Sequence, residues 1–308
     1  MTYLFIGSED AGGAILDALL KYREIKRTKP LVISVKSEPG EEKKLEEQLK
    51  TTKQVDLAFL FAELGDNDVT PRLAEILAGK KLKTVLVGIL PASRREQQEK
   101  EINAYHSMEK LREHVSSFLL VDNQRIAHLP NFEDYYPGYN TYIASCIADI
   151  LMGISPPGSP SEPSKQVFLP LDELVKALSF EDEPGYVALS RASELTKGLW
   201  GYIFPFLKHQ PLDLRTLLRV SLEKFSVSDA PPGCEKNVSL LQVPDYYLQN
   251  RSVDREQIEE FLLAHSKECH LAVSVTKRNR AAVTNLFTYT FDQLERLRAI
   301  RRRAHEGI

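Results

Sequence analysis

No stretch of this sequence approaches the roughly 20 consecutive apolar residues that a membrane-spanning helix needs. Its opening, MTYLFIGSEDAGG, also lacks the basic start and long apolar core of a signal peptide, so a cytoplasmic protein is expected. Cysteine is scarce: Cys146, Cys234 and Cys269 are widely spaced, form no CxxC pair and have no clustered His/Cys ligand set around them. That excludes a disulfide framework and a zinc site, and the three are expected as buried thiols. An excess of positive charge is missing too. Lys and Arg total 40 against 43 Asp and Glu, a net charge of -3, so the cationic field that non-specific nucleic-acid binding draws on is absent and no nucleic-acid partner is expected. No GxSxG or P-loop sequence occurs, and Gly7, Gly12 and Gly13 do not have GxGxxG spacing, which argues against a dinucleotide-dependent enzyme. The seven histidines are scattered; His265 and His270, beside Cys269, read as a surface turn, and no metal is expected.

What is present is an ordinary globular composition, 43% hydrophobic and 27% charged over 308 residues, enough for two domains with cores of their own. Tyr3 to Ile6 is a short buried-strand pattern that runs through a glycine turn into Ala14 to Leu20, which has helical spacing. Strand signals recur at Leu31 to Val35, Asp56 to Phe61, Lys83 to Ile89 and Phe118 to Val121. Between them lie a charged helix from Glu41 to Lys53, a helix from Pro71 to Leu77 with proline in its first turn, and a long one from Glu99 to Ser117. Another helix occupies Tyr139 to Leu151. Strands alternating with helices predict an α/β domain over residues 1–152 with a largely parallel sheet.

Residues 153–166, GISPPGSPSEPSKQ, are too rich in proline and serine for a regular element and mark a linker or extended loop. Beyond them, 167–308 reads as a smaller α+β domain: helix-rich from Leu171 to Lys224, then strands at Val238 to Val243, Leu271 to Val275 and Ala282 to Tyr289, with a helix from Arg255 to His265. Trp200, Tyr202, Phe204 and Phe206 form an aromatic run that reads as core or as a partner-binding patch. From Phe291 to His305, Leu294, Leu297 and Ile300 share a helix face with arginines around it. The expectation is a closing helix with a solvated basic face, the other reading being contact with a membrane or anionic partner.

Several of these segments carry a family resemblance. Ser107 to Val115 followed by Phe118 to Ile126 resembles a helix and strand of FtsZ and the archaeal CetZ proteins, and Val121-Asp122-Asn123 resembles the Val-Asp-Asn step of tubulins. Pro137-Gly138-Tyr139 is similar to the Pro-x-Tyr that opens the long central helix of tubulins. Ile6 to Gly12 resembles the first nucleotide loop of FtsZ, and Glu63 to Ile76 stands where the glycine-rich signature loop and its helix lie. The resemblance covers most of residues 1–152 and only the order of elements beyond. It implies the tubulin/FtsZ architecture: a Rossmann-type parallel-sheet domain, a central helix and a smaller α+β domain.

The same resemblance implies a GTP/GDP site that this chain supplies only in part. Backbone amides that cradle phosphates need glycine and no nearby acid. Gly7, Gly12 and Gly13 remain, but Glu9 and Asp10 stand where the phosphates would lie, and one such charge about 4 Å away costs about 1 kcal/mol in water and nearer 4 in a partly desolvated site. The signature loop is reduced to Gly65-Asp66-Asn67-Asp68-Val69-Thr70, and only Ser37 to Gln54 remains where two further loops belong. On the base side Asn123 stands where an asparagine pairs with guanine and Tyr139 where an aromatic ring stacks on it, while Ile143 replaces a second base-reading asparagine. The other reading of the same two residues is a turn after the strand and packing at a helix start. Asp172 and Glu173 are the only acids where the family carries its catalytic loop. Their expected place is a helix N-terminus after Pro170, a catalytic role being the alternative.

The expected function is therefore a cytoskeletal or scaffold protein of the tubulin/FtsZ type that no longer hydrolyses GTP and acts through self-association or on a GTPase relative. The alternative is a GTP-binding, polymer-forming CetZ-like GTPase.

Overall fold

Strand and helix alternate along the first half as the apolar spacing requires. The computed structural model describes residues 1–8, 11–36, 41–51, 54–65, 69–93, 98–155, 166–197, 204 and 209–306. In chain order the elements are β1 (Tyr3–Ser8), α1 (Ala11–Leu20), α2 (Arg23–Arg27), β2 (Leu31–Val35), α3 (Glu41–Thr51), β3 (Leu57–Glu63), α4 (Val69–Gly79), β4 (Thr84–Leu90), α5 (Gln98–Leu111), β5 (Ser117–Asp122), α6 (Gln124–Ala127) and α7 (Tyr136–Gly153). They continue with β6 (Ile154–Ser155), β7 (Leu169–Pro170), α8 (Leu171–Ala177), β8 (Gly185–Leu195), α9 (Leu214–Ser221), β9 (Cys234–Pro244), α10 (Asp245–Gln249), α11 (Arg255–Leu263), β10 (Ser266–Thr276), β11 (Arg280–Tyr289) and α12 (Glu295–Glu306).

Nine strands form one sheet in the order β10-β9-β11-β8-β5-β4-β3-β1-β2. From β2 to β8 every pairing is parallel; β11 runs antiparallel to both β8 and β9, and β10 lies parallel to β9. Parallel strands need helical crossovers on their faces, so β4 and β5 are buried along their whole length. On one face Phe5 meets Phe59 and Phe61 edge-on beneath Ile15 and Leu19 of α1 and Ile143 and Ile147 of α7. On the other, Leu4, Leu60 and Leu86 pack under Leu77 of α4, Met108 of α5 and Leu297 of α12.

Helix α7 crosses the second-half strands in turn. Asp149 reaches Arg191 of β8 and Thr284 of β11, and Gly153 lies against Leu240 of β9 and Ala272 of β10. Its other side packs on α1. Most of the expected linker, residues 156–165, lies outside the described residues, but its end is held: Gln166 Oε1 accepts the Val275 amide at 3.1 Å, and Val167 bridges to Val273.

Three expectations need correction. Residues 171–224 are not helix-rich throughout, because Gly185–Leu195 is an 11-residue strand. The run ALSRASEL is made of helix formers, yet its pairing with all of β11 overrides that weak preference. Helix α5 stops at Leu111, not Ser117, which is already the first residue of β5. Cys269 and His270 lie within β10 and not in a turn; Cys146 and Cys234 are buried, whereas Cys269 is only half-buried. Of the aromatic run, Trp200, Tyr202 and Phe206 fall outside the described residues, and Phe204 is 40% exposed. Among the described residues no helix is long and apolar enough to cross a membrane.

Candidate functional site

In an open parallel sheet, ligands sit beyond the carboxyl ends of the strands, which here are the ends of β1, β3, β4 and β5. At β1, Gly7 serves close packing of α1: a Cβ there would stand 2.8 Å from Leu16 Cδ2. Gly12 is buried and Gly13 half-buried in the first turn of α1, while Glu9 and Asp10 lie outside the described residues. At β3, Gly65 has φ +90°, and a Cβ would meet Lys100 O at 2.5 Å and Ala104 N at 2.6 Å. The last glycine of the signature segment thus lets α5 approach. Asp66, Asn67 and Asp68 lie outside the described residues.

At β5 the two base-side candidates come together. Asn123, 6% exposed, donates its amide N–H to Leu90 O at 3.2 Å, and its own carbonyl accepts from Ile126 and Ala127. Its side chain makes no cap bond to α6. Tyr139, in the first turns of α7, donates its hydroxyl to Ser226 O at 2.7 Å, with Asp122 O at 3.3 Å, and its ring stacks on Tyr142 at 6.4 Å and 6°. Burial, reinforced by the Asp122 carboxylate, pushes this phenol well above the ordinary tyrosine range, so it is a neutral donor. Ile143, one turn on, is fully buried core.

Between them stands Asp122, 0% exposed. Its Oδ1 accepts from the Gln124 amide at 3.0 Å and Arg296 Nε at 3.3 Å, and its Oδ2 from the amide and hydroxyl of Ser228. Arg296, on α12, also donates Nη1 to Glu101 Oε1 at 2.6 Å and Nη2 to Pro91 O, and Arg303 donates to the other Glu101 oxygen. Of the arginines expected on a solvated face of α12, Arg298 and Arg302 are exposed, Arg301 and Arg303 half-buried, and Arg296 departs from the expectation. Arg296 is buried between two carboxylates, while Arg298 and Arg302 pair with Glu295 and Arg301 with Asp292. Helical spacing carried a signal for this: Arg296 and Arg303 lie four before and three after the buried Ile300, on one stripe of the helix. Nothing in the spacing named Glu101 and Asp122 as the partners of Arg296, or Ser226 and Ser228 as those of Tyr139 and Asp122.

Asp172 and Glu173 are in the first turn of α8, after Pro170. Asp172 pairs with Lys83, which precedes β4, and that hydrogen bond holds its carboxyl below the ordinary range. Since β4 and β5 are parallel, Lys83 marks the edge of the sheet opposite Asp122. The acids and the base-side residues therefore do not meet within one chain. Among the described residues no three His, Cys, Asp or Glu side chains gather to hold a metal.

Neither a protein-family model nor a curated protein matches the sequence. Solved structures do match in fold. The GDP-bound monomer of CetZ1 from Haloferax volcanii superposes with a TM-score of 0.73 at 16% identity, covering 100% of this chain and 99% of that one. The GTPγS-bound protofilament of CetZ2 from the same organism gives 0.69 at 18%, covering 100% and 98%. The empty FtsZ dimer of M. jannaschii gives 0.67 at 12%, covering 93% and 88%. The order of parallel strands, the crossing α7 and these superpositions agree with the resemblance of the first half, and the fold of this chain is that of the tubulin/FtsZ superfamily.

Proposed function

We propose that this chain is a tubulin/FtsZ-type assembly protein that associates head to tail with copies of itself or with a relative of the same fold, without hydrolysing GTP. The observation that carries this reading is the engagement of Tyr139: its hydroxyl is committed to the Ser226 carbonyl, and the carboxylate beside it is committed to Arg296. The phosphate end fits a nucleotide poorly, since Glu9 and Asp10 add charge of the wrong sign and Gly65 is closed against α5. Asp172, facing the far edge, is tied to Lys83. Assembly is supported by the fold shared with the CetZ2 chain whose structure is a protofilament.

A second reading, a GTP-binding CetZ-like GTPase, is favoured by one observation: the Asn123 side chain makes no cap bond, and the hydroxyl of Tyr139, whose ring stacks on Tyr142, reaches the carbonyl of the preceding Asp122, so an amide and an aromatic pair of the kind that suits a purine lie at one strand end. Light scattering and phosphate release, followed together with and without GTP and magnesium, separate the two. Assembly without phosphate release is expected. Release that scales with assembly and is lost in Asn123→Ala would put the GTPase reading first, and a monomer at every concentration would sink the assembly reading.

A further inference from the structure

Away from that edge, a cleft of about 220 Å³ lies between α2, the end of α7 and the ends of β9 and β10. Its floor is polar where the neighbouring core is not. Leu240 and Ala272 pack beneath Gly153; two residues further along each strand, on the same face, come Gln242 and Ser274, which are register partners. Ser274 is 7% exposed and Gln242 half-buried, and neither side chain has a hydrogen-bond partner among the described residues. Neither is a sealed, unsatisfied group, so both open onto the cleft, where their hydroxyl and amide are available to a ligand.

The rim is cationic. Arg27 comes from α2, and Lys277 and Arg278 from the turn between β10 and β11. Both acids of the cleft are already neutralised. Arg278 Nη2 lies 2.9 Å from each Glu24 oxygen, and Asp149 accepts from Arg191 Nε at 2.8 Å and Thr284 Oγ1 at 2.6 Å. Arg27 and Lys277 remain without an acid partner among the described residues.

We propose that this cleft binds a small dianion of the phosphate-monoester or dicarboxylate class, with its polar groups on Ser274 and Gln242 and its charge between Arg27 and Lys277. Such a ligand ties α2 of the first half to the β10–β11 turn of the second, alongside the Glu24–Arg278 pair that already does so. The site is independent of the nucleotide-type edge, which lies at Asp122 and Tyr139.

Thermal unfolding tests it, with inorganic phosphate and succinate as separate probes and sodium chloride holding ionic strength constant. The wild-type Tm rises by about 2–4 °C at a tenfold excess over Kd for at least one probe, and which probe acts identifies the class. In Arg27→Glu/Lys277→Glu, two exposed positions whose reversal leaves the core intact, the rise disappears; in Ser274→Ala it is reduced. An equal rise in wild type and the charge-reversed variant would place the anion elsewhere and overturn the proposal, as would no rise with either probe. If the double variant does not show the wild-type circular dichroism spectrum, Ser274→Ala alone decides, an unchanged rise refuting the site.

Discussion

Replacing Arg296 by methionine keeps much of the side-chain volume and removes the charge between Glu101, 1% exposed, and Asp122, 0% exposed. Three donated bonds disappear, to Glu101, Asp122 and Pro91. Removing one partner of a buried ion pair typically costs about 3–5 kcal/mol, because the charge left behind has neither water nor a counterion. Two carboxylates are affected, but neither is stripped bare: Glu101 keeps Arg303, and Asp122 keeps Ser228 and the Gln124 amide. The expected loss therefore stays at about 3–5 kcal/mol, a large share of a typical total of about 5–15. Arg302→Met is the control, since Arg302 is 65% exposed and its pairing with Glu295 is worth about 0–1 kcal/mol. Urea unfolding followed by circular dichroism measures both. Adding Glu101→Gln to Arg296→Met should return part of the loss by removing one of the stranded charges. If Arg296→Met costs no more than Arg302→Met at unchanged m, the buried network contributes nothing and the reasoning fails.

Two further outcomes are expected. Gly65→Ala forces a side chain onto φ +90° and a Cβ to 2.5 Å from Lys100 O, so it should destabilise by at least about 2 kcal/mol in the same assay, and a neutral result would contradict the close approach of α5. Burial pushes the thiols of Cys234 and Cys269 up to about 12 and that of Cys146 higher still, which leaves the native chain with very little thiolate at pH 8. A chromogenic disulfide reagent should therefore titrate all three only after guanidinium is added, with half-buried Cys269 the first to react, and rapid native reaction at Cys146 would be inconsistent with its place in α7.

The parallel strands of the first half were legible because burial on both faces turns each into an unbroken apolar run, as in Leu57–Glu63 and Thr84–Leu90. Strand β8 was not, because ALSRASEL has no such run and its state is decided by partners in β5 and β11. At the candidate site, order along the chain put Asn123 and Tyr139 at one edge. What holds them there was invisible: the acceptor of the Tyr139 hydroxyl is 87 residues away, and Arg296 meets Glu101 across 195. Gly65 read as the remnant of a phosphate loop, since a sequence shows that a glycine is present but not which backbone comes close to it.

Because α12 follows β5 so far along the chain, the contact between them also sets an order in time. A ribosome releases Asp122 174 residues before Arg296. At about 5–20 residues per second the first half of the sheet waits about 10–35 s for its countercharge. During that interval Asp122 has the Gln124 amide, and Ser228 once that residue has emerged, but no countercharge until Arg296 arrives.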